Sequence, residues 1–390
     1  MRILFTLFTP PFSQTNSTYI DFRTCSEEQY LNYMDWNGSL RKNLAELDGC
    51  EVKFVSMSLK NKVFSIFKHG YESIFFPLNR KPNLIRRIKK VYDISELDSD
   101  ALFSWVKRYN PDVIHVIGSG HRLAKRIVKD NSLNRKVCLW ERVELTSKKI
   151  KSSEYFLSRN IVMPTEFAAK ELRKIYPEKN IYHLPLGVDL EIYKNSTEYR
   201  KDFDVISVGG LSKRKQINVV RDIVVKNNLS WIHAGEMIEG KPFFSSLEDI
   251  LYFRKFRKYL LLSRKREAKF YKHKSGFFSD KEMVELYSRS KILIHPSLAE
   301  GAPRAVQEAI ACGTPVVVLK DTVPYITNSF SRSCYSHDEF DEVVMELLNN
   351  EEKRKHLAIM GRKWLEENHS STHLCKSVEK INNEIYMSTE

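Results

Sequence analysis

The chain has 390 residues, 42% of them hydrophobic and 12% aromatic, which fits a folded protein too long for one typical core, so two domains are expected. No stretch approaches the roughly 18 consecutive apolar residues of a membrane span. Six cysteines without a C-x-x-C pair argue for reduced thiols in a cytosolic protein and against a disulfide framework or a zinc site, and a net charge of +14 calls for an anionic partner (nucleic acid, acidic lipid or a phosphorylated substrate).

The N-terminal "MRILFTLFTPPF" predicts a buried first strand, because "TPPFSQTNS" lacks the small-residue cleavage site of a signal peptide. Short apolar runs then alternate with helical patterns. They are "RILFTLF", "EVKFVSM", "DVIHVIG", "KVCLW", "NIVMP" and "IYHLPLG" in the first half, and "FDVISVGG", "SWIHAG", "KILIHPS" and "TPVVVL" in the second. This alternation predicts an α/β protein with two doubly wound, Rossmann-like units and parallel sheets. The polar stretch "LPLGVDLEIYKNSTEYRKDFD" sets the join at about residue 195, with domains over 1–190 and 196–365. The end of the chain reads as two or three amphipathic helices, the last, over 366–390, suited to packing back on the first domain. Ligands of open α/β sheets bind at the carboxyl ends of strands, so two facing units predict a substrate cleft between them.

Two basic clusters, 79–90 and 253–274, interleave Lys and Arg with apolar residues; the second holds ten of them within 254–274. A membrane-surface helix, a nucleic-acid face and a solvated helix all fit this composition. No helix-turn-helix, zinc-finger or RNP pattern supports nucleic acid. "DSD" at 98–100 lies in a polar stretch rather than at a strand end, so no metal is expected.

The stretch "HPSLAEGAPRAVQEAIACGTPVVV" (295–318) carries the chemistry. "KILIHPS" is a strand, "LAEGAP" a loop, and "RAVQEAIAC" a short helix, with Pro303 in its first turn, Gly313 at C′ and Pro315 beyond. Glu300 lies in the loop, and Glu308 about two turns into the helix, turned from its apolar face. The loop N–H groups and the helix start suit a phosphate, Glu300 suits sugar hydroxyls, and Glu308 suits a ribose diol, since a carboxylate only accepts. His115, inside a strand, reads as a core histidine; His295 reads equally as structural or donor-proximal. His121 and Glu141 follow first-domain strands.

The same stretch resembles the E-x7-E signature of retaining GT-B glycosyltransferases of the family 4 (group 1) type. "FDVISVGGLSKRKQINVV" is similar to that family's first donor-domain strand and loop, with Gly209 and Gly210 in the turn and Lys215 at the diphosphate lysine. Two positions depart: Gly210 stands for an Arg and Gln216 for the Gly after the Lys, with Lys213 or Arg214 to supply the missing charge. "GFFSDKEMVELYSRSKILIHPS" resembles the base-binding region, which places Gly276 and Phe277 there. Gly187, Val188 and Asp189 match the hinge, and "PDVIHVIGSG" an acceptor-domain strand. The first 100 residues match least and lack the Gly-Gly loop. The resemblance implies a GT-B enzyme using a nucleotide-sugar donor, UDP-sugar favoured, with no cofactor. Glu300 and Lys215 would be catalytic. Glu308, Gly209, Gly210, Arg214, Gly276, Phe277, Gly301, Ala302 and Pro303 would bind donor, and His121 and Glu141 would face the acceptor, a saccharide, lipid-linked or envelope glycan at the cytoplasmic membrane face. Retention in that family implies attack on the face the leaving group departs from. The alternatives are a catalytically degenerate GT-B binding protein and a nucleic-acid-binding factor.

Overall fold

The computed structural model describes residues 1–7, 44–58, 60–68, 71–79, 97–118, 121–141, 158–184, 187–196, 198–210, 213–235, 278–298, 300, 303–320, 322–323 and 328–389. In chain order these form β1 (Arg2–Leu7), β2 (Glu51–Ser58), β3 (Phe64–Lys68), β4 (Tyr71–Pro77), α1 (Asp100–Tyr109), β5 (Val113–Ile117), α2 (Arg122–Lys129), β6 (Val137–Trp140), β7 (Asn160–Met163), α3 (Glu166–Ile175) and β8 (Asn180–His183). There follow β9 (Phe203–Val208), α4 (Ile217–Lys226), β10 (Trp231–Ala234), α5 (Asp280–Ser288), β11 (Ser290–His295), α6 (Arg304–Ala311), β12 (Val316–Leu319), β13 (Arg332–Cys334), α7 (Glu339–Asn349), α8 (Glu351–Asn368) and α9 (Ser371–Met387).

The chain divides into two compact units that part between Gly187 and Val188, and α9 belongs to the first. The first unit holds an eight-stranded sheet in the order β3-β4-β2-β1-β5-β6-β7-β8. Its strands pair in parallel except β3 with β4, an antiparallel edge pair. Helices α1 and α2 cover one face, where Leu102, Val106, Leu123 and Ile127 pack on Leu4, Val55 and Val116. On the other, α9 sets Leu374, Val378, Ile381 and Ile385 against Ile3, Phe5 and Trp140. A sheet covered on both faces needs strands apolar on both sides, hence runs such as "VCLW" without alternation. His115 is a buried core residue: Trp140 Nε1 donates to its Nδ1 at 2.8 Å, so Nε2 donates to Asn382 Oδ1 at 2.6 Å. The "DSD" stretch starts α1: Ser99 is its N-cap and accepts from Leu102 N, while Arg126 donates to Asp98 and Asp100.

The second unit holds a parallel sheet in the order β10-β9-β11-β12-β13. Here β9 comes first in the chain, with β10 on one side and β11 on the other. The order therefore reverses between β9 and β11, and ligands of such sheets bind at the strand ends beside that reversal. Helix α5 is fixed by a capping box in which Ser279 and Glu282 satisfy each other's backbone. Helix α6 ends in a Schellman turn: Thr314 N donates to Ala309 O and Gly313 N to Ile310 O, with Gly313 at φ +71°.

No helix among the described residues is long and apolar enough to cross a membrane. Cys50, Cys138, Cys312, Cys334 and Cys375 are free thiols. The cluster at 253–274, and that at 79–90 beyond Asn79, lie outside the described residues.

Candidate active site

The loops after β9 and β11 meet at the order reversal. Leu298 N donates to Arg214 O at 2.9 Å and Ser297 Oγ to the same oxygen at 3.3 Å, which ties the two loops together. Across this junction Glu300 Oε1 receives Lys215 Nζ at 2.5 Å, Arg214 Nη1 at 2.8 Å, Ser297 Oγ at 2.7 Å and His295 Nε2 at 3.2 Å. None of these contacts falls on Oε2. Burial alone would raise the Glu300 pKa, but the hydrogen bond from His295 and the charge of Lys215 outweigh it and hold the carboxyl well below its usual range. Glu300 is therefore a carboxylate at neutral pH, with two cations on one of its oxygens.

Lys215 reaches that oxygen across a glycine. A Cβ built on Gly209, at φ +130°, would meet Lys215 Cε at 3.3 Å. A Cβ on Gly235 would lie 2.0 Å from Gly209 O, so the ends of β9 and β10 close only with glycine there. Gly210 has open space around its Cβ position. Gln216, where the resembling family has glycine, is left-handed at φ 50° and ψ 38°, and its side-chain amide donates to Lys213 O. The position keeps a glycine-like backbone without the glycine.

Glu308 forms a second centre. The sequence set it two turns into the helix and away from its apolar face; it lies on the second turn of α6 and is buried, as is every residue from Val306 to Ala311. Helix α6 is covered rather than amphipathic, because α5, α8 and the sheet all contact it. Arg304 Nη2 lies 3.1 Å from Glu308 Oε1, and Tyr287 OH donates to Oε2 at 3.0 Å. Tyr193 OH donates to Asp280 Oδ1 at 2.6 Å. Burial pushes the Glu308 pKa up, against the charge of Arg304 and the hydrogen bond of Tyr287.

Of the residues singled out from sequence, Glu300, Lys215, Arg214 and Gly209 come together. Pro303 is the N-cap of α6 and makes no side-chain cap. Gly276, Phe277, Gly301 and Ala302 lie outside the described residues. His121 and Glu141 lie in the first unit just past the carboxyl ends of the paired strands β5 and β6, both buried. Sequence reading missed Ser297, Tyr193, Asp280, Tyr287 and Arg304. Only Arg304 left a local signal, its i, i+4 spacing to Glu308.

Residues 189–364 match the family model of glycosyl transferases group 1. The match lies within the second unit and spans 176 of the 390 residues. A search of curated proteins found no significant match. Solved structures that resemble the chain include sucrose-phosphate synthase from Thermosynechococcus elongatus, with a TM-score of 0.71 at 13% identity over 99% of each chain. Another is Anabaena HepE in complex with UDP and glucose, with a TM-score of 0.64 at 12% identity over 98% of this chain and 100% of that one. A third is the Escherichia coli trehalose-6-phosphate protein bound with UDP-2-fluoro glucose, with a TM-score of 0.68 at 10% identity over 98% and 99%. At these identities the likeness establishes the fold, and that fold is GT-B. The chain is a glycosyltransferase, and the second unit, where the family model matches, carries both carboxylate centres.

Proposed function

We propose that this glycosyltransferase moves a sugar from a UDP-sugar to a saccharide, lipid-linked or envelope glycan acceptor, with retention of anomeric configuration. The observation that supports it best is the meeting of Lys215 and Arg214 on Glu300 at the order reversal of the sheet, with Glu308 on the helix that follows. A departing nucleoside diphosphate develops negative charge, and the two fixed cations offset it. Each donor aimed at such charge in a dry site is worth about 3 kcal/mol, or roughly 100-fold in rate. This route needs no divalent cation. Glu300 holds sugar hydroxyls through Oε2 while Oε1 keeps the cations in place, and Glu308 takes the ribose. In the same-face mechanism the leaving phosphate accepts the acceptor's proton, so Glu300 positions and does not attack. His121 and Glu141 are assigned to the acceptor side. The net charge of +14 favours an acceptor held at an anionic membrane surface.

The test is a thermal-shift screen with UDP-, GDP- and ADP-sugars, followed by transfer assays on Glu300→Gln and Lys215→Ala. A ligand that binds only the folded chain raises its melting temperature. UDP-sugars are expected to stabilise the wild type, and each substitution to lower turnover by at least roughly 100-fold while circular dichroism stays native at 25 °C. Turnover at the wild-type rate in either variant removes that residue from the mechanism. Binding without hydrolysis or transfer marks a degenerate scaffold instead.

A further inference from the structure

We infer that Tyr287 and Arg304 are positioning residues of the donor site, holding the Glu308 carboxylate in the orientation that meets a nucleotide's ribose hydroxyls. The inference rests on the reading of Glu308 given above.

Two side chains meet the two oxygens of this carboxylate. Tyr287 comes from the last turn of α5, is fully buried, and is anchored at both ends: its hydroxyl donates to Glu308 Oε2 at 3.0 Å and its carbonyl accepts from Thr314 Oγ1 at 2.7 Å. Its ring lies in the core cluster with Leu293, Val306 and Ala309. Arg304 comes from the helix of Glu308 itself, and its Nη2 lies 3.1 Å from Oε1. Each oxygen thus has one fixed partner, and a carboxylate held in one rotamer loses little entropy when a diol docks on it.

Tyr193 OH gives its one proton to Asp280 Oδ1 at 2.6 Å, so it is not a donor to Glu308. Glu308 is buried, and a ribose brings two hydroxyl donors to a group that only accepts.

The test is calorimetry on the full chain with UDP and 2′-deoxy-UDP. The ratio of their dissociation constants measures the hydrogen bond of one ribose hydroxyl. Four proteins are compared: wild type, Glu308→Gln, Tyr287→Phe and Arg304→Met. Wild type is expected to prefer UDP by roughly tenfold. Glu308→Gln should bring the ratio near one, and Tyr287→Phe and Arg304→Met should each lower it by about threefold or more. Wild type that binds no UDP, or Glu308→Gln that keeps the full ratio, overturns the ribose reading itself. Glu308→Gln that loses the ratio while Tyr287→Phe and Arg304→Met both keep it overturns the inference and leaves that reading standing. A merely structural side chain would lower stability or weaken both ligands equally, so an unmoved ratio counts against positioning whatever happens to affinity. Tyr287→Phe alters the core and is the variant at risk of misfolding; Arg304→Met then decides alone.

Discussion

Glu300 and Lys215 form the interaction whose energy follows most directly from the geometry, and a double-mutant cycle on stability measures it. The Lys215 side chain is 16% exposed and Glu300 9%, so the pair is largely out of water; Arg214, 50% exposed, is screened and adds at most about 1 kcal/mol. Lys215→Met leaves Glu300 with Arg214, Ser297 and His295, and removes one charge-assisted hydrogen bond, a loss of about 2 kcal/mol. Glu300→Gln is worse: it leaves a buried ammonium beside a guanidinium with no anion, for about 3 kcal/mol. With both changes no charge is stranded at the buried position. The double variant should lose about 3 kcal/mol, where independent sites would lose about 5.

The assay is urea unfolding of the full chain at pH 7, followed by tryptophan fluorescence, with the transition of the second unit reported by Trp231 and Trp364. Acid provides a second arm. The folded Glu300 titrates below its ordinary value of 4.5, so its contribution is complete above about pH 4.5 and is lost as pH falls through the folded value. The gap between wild type and Glu300→Gln should therefore close on acidification below that point. Losses that add to within about 0.5 kcal/mol, or a gap that ignores acid, would refute the coupling and with it the claim that Glu300 holds the two cations.

Two further predictions concern the frame around the site. His115 is fully buried and neutral, with its pKa pushed down by desolvation from 6.5 to about 4. The unfolded chain binds that proton first, so stability should fall by about 3 kcal/mol as pH drops from 6.5 to 4; His115→Gln, which can still accept from Trp140 and donate to Asn382, should remove that slope, and an unchanged slope would reassign it. Gln216 holds a left-handed backbone that costs a non-glycine residue about 1 kcal/mol, so Gln216→Gly should stabilise by up to that amount in the same urea assay, and destabilisation would show that the Gln216 to Lys213 hydrogen bond is worth more than the strain.

Most of the parallel strands were legible because both faces are covered, which turns each into a short unbroken apolar run; all ten such runs contain a strand. The strands that sequence reading passed over had no such signal. β3 and β4 form an antiparallel pair at the sheet edge, where Phe67 is exposed and the apolar run is broken by "KHG". β13 is three residues, Arg-Ser-Cys, made a strand only by its partner β12. The site divides in the same way. Glu300 and Glu308 sit on one strand-loop-helix unit, and their spacing can be read along the chain. Tyr287 lies 21 residues from its carboxylate partner and Tyr193 lies 87 from Asp280, so these contacts exist only once the second unit has packed. A buried tyrosine also looks in sequence like any other core aromatic.

The departure at position 210 shows where reading by resemblance needs a physical correction. A missing arginine suggests a missing charge, but charge is a property of the site and not of a position in the chain. A Cβ at position 210 would meet no atom of the described residues within 4 Å. Arg214 instead reaches Glu300 Oε1 from the far end of the same loop, at 2.8 Å and beside Lys215. It does so because the loop is drawn onto the β11 side by Leu298 and Ser297, which both bond the Arg214 carbonyl. The glycine at 209 lets Lys215 lie across the turn, and the left-handed Gln216 starts α4 in the direction a glycine would have given. Two cations therefore stand at the end of β9 and β11 with neither the Arg nor the Gly of the resembling motif, and under the proposed function these are the charges that would meet a departing diphosphate.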